Sequence, residues 1–399
     1  MKEESRVFIQ LINIAMHGYD RNINVPEIDD VAFKLNTDDN MLRIQYFLAK
    51  KHKTVTLLQE VLKRKEFNVS KDMSDSLMRQ FAASLIQDSE QRAEAERLMK
   101  IFEHKEIPVI MLKGWVMKRL YPRTDLRCMA DLDIFMNKED EYKVHEIMLS
   151  NGYTCINFDH KKDNVYQKPR FLTIEMHKNL FKYEDNWNTF FKDIWTRSEK
   201  LSDYNYVYQM DKELYYVYML AHMAKHLKDD GGIGVRAFLD LWVYRQHFGD
   251  ELNEELIKSD LSKLGLDKFQ ESAEELAAIW FGQKECTDPL YEQMSEYIIE
   301  CGAYGNTEFF VMNNVAMDEN TGRYRYLLRR AFPNKREMEL RFPKIKEKPF
   351  LILYFWFYRL WKYGLRRKKE VTAEITSTKD VDFEKMMRIK EMYGKIGLR

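Results

Sequence analysis

The stretch PVIMLKGWVMKRLYPRTDLRCMADLDIFM, residues 108–136, decides the fold, together with FLTIEMH at residues 171–177. Val109-Ile110-Met111-Leu112 is a short apolar run between turn residues, the pattern of a buried strand. Trp115 to Leu120 reads as a short helix, and Tyr121 to Met129 as an Arg-rich loop opened by Pro122. Ala130–Met136 reads as a second strand. On it Asp131 and Asp133 stand two residues apart, so their side chains share one face, while Leu132 and Ile134 point the other way into a core. Alone, such a pair is equally two solvated carboxylates on an edge strand. The apolar flanks, and Gly114 in a turn upstream, argue instead for a strand inside a sheet. Glu175 lies in a further strand, LTIEM, where an unpartnered charge would be costly. A carboxylate pair on a rigid strand, with a third brought alongside, suits a hard divalent cation.

Working outward, residues 85–104 form a charged helix stopped at Glu106-Ile107-Pro108. Lys138–Asp140 opens another helix, which places Val144, Ile147 and Met148 on one face and ends at Asn151-Gly152. Thr154–Phe158 and Arg170–Met176 read as strands. Upstream, residues 1–84 carry three helical periodicities: Val7, Phe8, Leu11, Ile12 and Ala15; then, past a break at Pro26, Met41, Ile44, Phe47 and Leu48; then Val55, Leu58, Val61 and Leu62. Downstream of Asp211 the chain is helical again, with a turn at Gly231-Gly232 that lacks the preceding strand a dinucleotide loop needs. Residues 302–348 mix loop and helix around Pro333 and Pro343. The expected organisation is a helical region at 1–84, an α+β core at 85–200, a helical domain at 201–330, and an aromatic and basic segment with its tail at 331–399.

The 399 residues suffice for a sizeable core. The 64 Lys and Arg balance the 64 Asp and Glu, so a long nucleic acid is not the expected partner. Cys128, Cys155, Cys286 and Cys301 stand singly, with neither zinc-cluster nor disulfide spacing, which fits a reducing cytoplasm. The N-terminal MKEESRVFIQLINIAMHG reads as an amphipathic helix and not as a signal peptide. No apolar run is long enough to span a bilayer.

The order strand, glycine turn with helix, Asp-x-Asp strand and later acidic strand resembles the polymerase-β-like nucleotidyltransferase superfamily. The text LKGWVMKRLYPRTDLRCMADLDIFM, then LSNGYT, then IEMHKNL is similar to a bacterial branch of nucleotidyltransferases over about residues 105–180. A fainter likeness extends through AHMAKH and FLDLW. The resemblance implies an α+β fold: a small mixed β-sheet nucleotidyltransferase core flanked by N-terminal and C-terminal mainly helical regions. It implies two Mg²⁺ ions, an NTP substrate and an acceptor hydroxyl on a small molecule or protein. Asp131 and Asp133 match the pair that holds both ions, and Glu175 the third carboxylate, a candidate base. Gly114 matches the turn glycine that admits phosphates to a helix N-terminus. The superfamily's Gly-Ser is here Lys113-Gly114-Trp115, so Lys113 would supply a cationic phosphate contact, with Arg127 as a second and Arg123 as a weaker one. A nucleotide-binding regulatory module without turnover is the alternative that the missing hydroxyl raises.

His222 and His226 share a helix face, but Met223 stands where a zinc-binding H-E-x-x-H needs Glu. They read as packed or capping histidines, or, as the resemblance hints, as contacts to nucleotide or acceptor. Lys225, Arg236 and Asp240 fall in the same region. His177 shares a face with Glu175 and reads either as a strand-end histidine or as a partner orienting that carboxylate. FLILYFWFYRLW at 350–361 is expected to be buried between elements or subunits. The basic run Arg366–Lys369 after it makes weak peripheral contact with a membrane surface, through residues 350–369, the competing reading, with a role in surface-polymer or peptide-product assembly.

Overall fold

The computed structural model describes residues 1–17, 28–158, 163–169, 172–181, 186–316, 328–342, 344–366 and 383–398. The features expected at Pro26, Arg170, Pro343 and Arg367–Lys369 lie outside the described residues. Two compact units emerge, one of residues 1–222 and 235–299, the other of residues 223–234 and 300–399.

The first unit opens with helices α1 (Glu3–His17), α2 (Ile28–Thr37), α3 (Asp39–His52) and α4 (Val55–Leu62). Their buried faces include the apolar positions Val7, Leu11, Leu48 and Leu58. Asp38 caps α3 by accepting from the Asn40 amide, and Lys53 ends it in the left-handed region. Helix α5 (Lys71–His104) begins well before residue 85, because nothing in 71–84 breaks a helix: the segment has neither Gly nor Pro.

Strand β1 (Val109–Met111) follows, then α6 (Lys113–Lys118), β2 (Asp131–Met136) and α7 (Glu141–Ser150). Past Gly152, whose φ is +82°, come β3 (Thr154–Phe158), β4 (Asp163–Lys168), β5 (Leu172–His177), the short helix α8 (Asn186–Phe190), β6 (Ser198–Lys200) and β7 (Val207–Met210). These make one mixed sheet in the order β3-β4-β5-β2-β1-β7-β6. β2 runs antiparallel to β1 and parallel to β5; β1 runs parallel to β7. Leu132, Ile134, Met136, Ile174 and Met176 pack into one core with Leu98, Met99 and Phe102 of α5 and Val144 and Met148 of α7. That core buries one face of β2. The alternating residues Asp131 and Asp133 therefore emerge on the opposite face.

Helix α9 (Lys212–Asp229) and helix α10 (Val235–Phe248) flank the Gly-rich turn, in which Gly231 and Gly232 take φ of +81° and +116°. Helices α11 (Glu254–Leu264), α12 (Asp267–Phe281) and α13 (Pro289–Cys301) follow. The fold is thus α+β, a mixed seven-stranded sheet with helical flanks.

In the second unit, helix α14 (Thr307–Ala316) lies near the helix Phe383–Lys395, and Tyr393 and Asn313 both donate to the Leu227 carbonyl, at 2.7 and 2.8 Å. The helix Leu351–Arg366 packs on the segment before it: Phe355 stacks on Phe342 at 4.2 Å, and the Trp356 indole donates to the Pro333 carbonyl.

Candidate metal and nucleotide site

In the turn between β1 and α6, the left-handed residue is Lys113, at φ +37°. A non-glycine residue in the left-handed region costs roughly 1–2 kcal/mol and calls for a compensating role. That conformation carries Lys113 Nζ to 2.9 Å from Asp133 Oδ1, while its carbonyl accepts from the Tyr215 hydroxyl at 2.8 Å. Gly114 is required by close approach: a Cβ there would meet Met129 Cγ and Sδ at 2.8 Å and Arg127 Nη1 at 3.0 Å. α6 starts at Lys113, two residues earlier than the sequence suggests, because the turn is completed by one left-handed residue.

The parallel pairing of β2 with β5 places Asp133 opposite Glu175 and Asp131 opposite Thr173. Antiparallel pairing of β4 with β5 then sets Asp163 opposite His177. His177 spans the two strands: its Nδ1 lies 2.7 Å from Asp163 Oδ1 and its Nε2 2.6 Å from Asp133 Oδ1. Both partners are carboxylates, so both ring nitrogens donate and the ring is cationic. Burial alone would lower the His177 pKa; the bonds to Asp133 and Asp163 overcome it and raise the value to about 9. Burial likewise pushes the Asp133 carboxyl up, yet the Lys113 ammonium and the His177 imidazolium hold it well below the usual range.

The two neighbouring acids move the other way. Burial, then the charge of Asp133, raises both Asp131 and Glu175. Four carboxylates, those of Asp131, Asp133, Asp163 and Glu175, thus face two cations, and the residual charge is negative. Asp133, Glu175 and His177 each offer a ligand atom, and the three atoms lie within 4.8 Å of one another. The two carboxylate oxygens suit a divalent cation directly, the His177 nitrogen joining them only once its Nε2 proton has left, and a cation there would relieve the crowding that raises Glu175.

Arg127 is buried. Its Nε and Nη2 donate to the two oxygens of Asp240 on α10, at 2.8 and 2.7 Å, and Tyr121 donates to the same carboxylate at 2.8 Å. The remaining guanidinium nitrogen, Nη1, is the one beside Gly114. Arg123 turns away to Glu60 and Asp125. On α9, the His222 ring packs against Tyr218, with centroids 5.9 Å apart. His226 lies in the other compact unit and pairs with Asp230 at 2.8 Å. Arg236 donates to the Cys128 carbonyl at 2.8 Å, bracing the loop before β2.

Sequence reasoning missed Asp163 and the partnership of Asp240 with Arg127. β4 reads DNVYQK, mostly polar, with Val165-Tyr166 its one strand-like signal. Asp240 is separated from Arg127 by 113 residues, and no local pattern pairs them.

A sequence profile of a family described as "uncharacterised nucleotidyltransferase" matches residues 45–282, the span that carries the sheet, the carboxylates and α9 to α12. No curated protein matches the chain.

Proposed function

The chain belongs to that family of uncharacterised nucleotidyltransferases, and on this premise we propose that it transfers a nucleoside monophosphate from an NTP to a hydroxyl of a small molecule or protein, releasing pyrophosphate. The observation that carries the reading is the register of β2 and β5, which sets Asp133 beside Glu175 on adjacent parallel strands with Asp131 two residues away. Asp131, Asp133 and Glu175 would hold Mg²⁺, with two ions expected. When bound, the metal would lower the pKa of the acceptor hydroxyl and offset charge on the departing pyrophosphate.

The chain's own residues supply the rest. The acceptor oxygen attacks the α-phosphorus, its bond to the pyrophosphate oxygen breaks, and the hydroxyl proton passes to a base. Glu175, the carboxylate that the strand register sets beside Asp133, suits that role. Lys113 would exchange Asp133 for phosphate oxygens, and Arg127 Nη1 would meet them at the Gly114 turn. An ion pair with Asp133 holds the Lys113 ammonium at the carboxylates from a left-handed backbone.

The test is pyrophosphate release from each of the four NTPs with Mg²⁺ and a panel of hydroxyl acceptors. Asp133→Asn should abolish release while leaving the circular dichroism spectrum unchanged. Undiminished release by that variant would refute the assignment. NTP binding without release under every acceptor would favour a nucleotide-holding regulatory module.

A further inference from the structure

The segment 350–361 was expected to be buried between elements or subunits; within the chain, the helix Leu351–Arg366 has one face covered and one exposed. Phe355 and Trp356 pack inward, and Arg359 reaches the Arg330 carbonyl. Phe350, Leu353, Tyr354, Phe357, Leu360 and Trp361 point outward; Phe350 is 70 % exposed, Phe357 67 % and Trp361 66 %. At 3.6 residues per turn the five on the helix fall within an arc of roughly 120°, and Phe350 immediately precedes it. They make one continuous aromatic and aliphatic stripe. Scattered exposed apolar residues need no explanation, but such a stripe marks an interaction surface.

Charge identifies the partner. Residues 328–366 hold eleven Lys and Arg against three Glu, in a chain whose formal net charge is zero. Among them Lys344, Lys346 and Lys348 precede the helix and are exposed, as is Lys362 beside the stripe. A second copy of the chain would bring two such basic segments together, and like charges on apposed faces repel. An anionic surface would be attracted instead. The stripe lies on the convex outside of a helix and suits a flat partner. Trp, Tyr and Phe with flanking Lys is the composition that settles at the boundary of headgroups and acyl chains. Among the described residues no helix is long and apolar enough to cross a membrane, so the contact is in-plane.

We propose that this helix docks the protein onto an anionic lipid surface, with the stripe inserted at the headgroup boundary and the basic residues around it on the lipid charges. The proposal is independent of the nucleotidyl-transfer reading.

The experiment is co-sedimentation of the full-length protein with vesicles of phosphatidylcholine alone and of phosphatidylcholine with phosphatidylserine. Binding to the anionic vesicles, weakened by added salt, is the expected result. Phe357→Glu and Trp361→Glu, both at exposed positions, should each lower the partition coefficient by at least ~10-fold with an unchanged circular dichroism spectrum. Equal binding by these variants overturns the proposal, as does absence of sedimentation with either vesicle. Self-association abolished by the same substitutions, without vesicle binding, would assign the stripe to a second copy and overturn it too. Binding retained by the variants but lost on adding an acidic protein would also count against insertion.

Discussion

Replacing Asp240 by Asn tests the electrostatic frame behind the turn. The pair it breaks is bidentate and buried, with Arg127 8 % and Asp240 7 % exposed. Burial would lower the arginine's pKa, but Asp240 more than reverses this and raises it. An arginine cannot shed its proton, so Asp240→Asn leaves a charged guanidinium in the interior, at a cost of about 3–5 kcal/mol. Arg127→Met costs less. The stranded carboxylate keeps the Tyr121 hydrogen bond and can neutralise itself by taking up a proton. Joining Arg127→Met with Asp240→Asn removes both charges together, and the double-mutant cycle should return a coupling of about 2–3 kcal/mol. The assay is urea denaturation followed by tryptophan fluorescence. Additive single-variant effects, each below about 1 kcal/mol, would refute the reasoning. The same double variant probes function without an unfolding artefact. If Nη1 of Arg127 meets phosphate at the Gly114 turn, NTP affinity should fall about 10–100-fold in a protein that still folds. Unchanged NTP affinity would leave Arg127 as a structural brace alone.

Two buried histidines should bound stability from opposite sides of neutrality. His52 donates from Nε2 to the Ile299 carbonyl and accepts at Nδ1 from the Val235 amide, so it is neutral when folded, and burial lowers its pKa from 6.5 to about 4. Its contribution is present above pH 6.5 and is lost as pH falls toward 4, by up to about 3 kcal/mol. His177 has the reverse sign: raised to about 9, it contributes fully below pH 6.5, and that contribution is lost as pH rises through 9. Denaturation midpoints of metal-free protein across pH should show both slopes, with His52→Asn flattening the acid one and His177→Gln the alkaline one. Gly114→Ala should cost about 1–3 kcal/mol, since the new methyl meets Met129, which can yield, and Arg127, which Asp240 holds. Thermal unfolding equal to the parent protein would show that both neighbours give way.

The sequence by itself determined the strand carrying Asp131 and Asp133, because alternation along a strand puts residues two apart on one face whatever the rest of the chain does. It determined Glu175 as the third acid and the helical stretches on either side, since a period of 3.6 or of two is written locally. It also placed His177 on the face of Glu175. The tertiary structure decided which charges meet. Asp163 joins the site only because β4 pairs with β5, and Asp240 reaches Arg127 only because α10 returns to the loop before β2. The left-handed backbone of Lys113, the ion pair of its ammonium with Asp133 and the close approach of Met129 and Arg127 to Gly114 are likewise tertiary features. The FLILYFWFYRLW helix turned its stripe outward, since one face is all that the short helices before it can cover. Periodicity records which residues share a face; what packs on that face depends on contacts between residues distant in the chain.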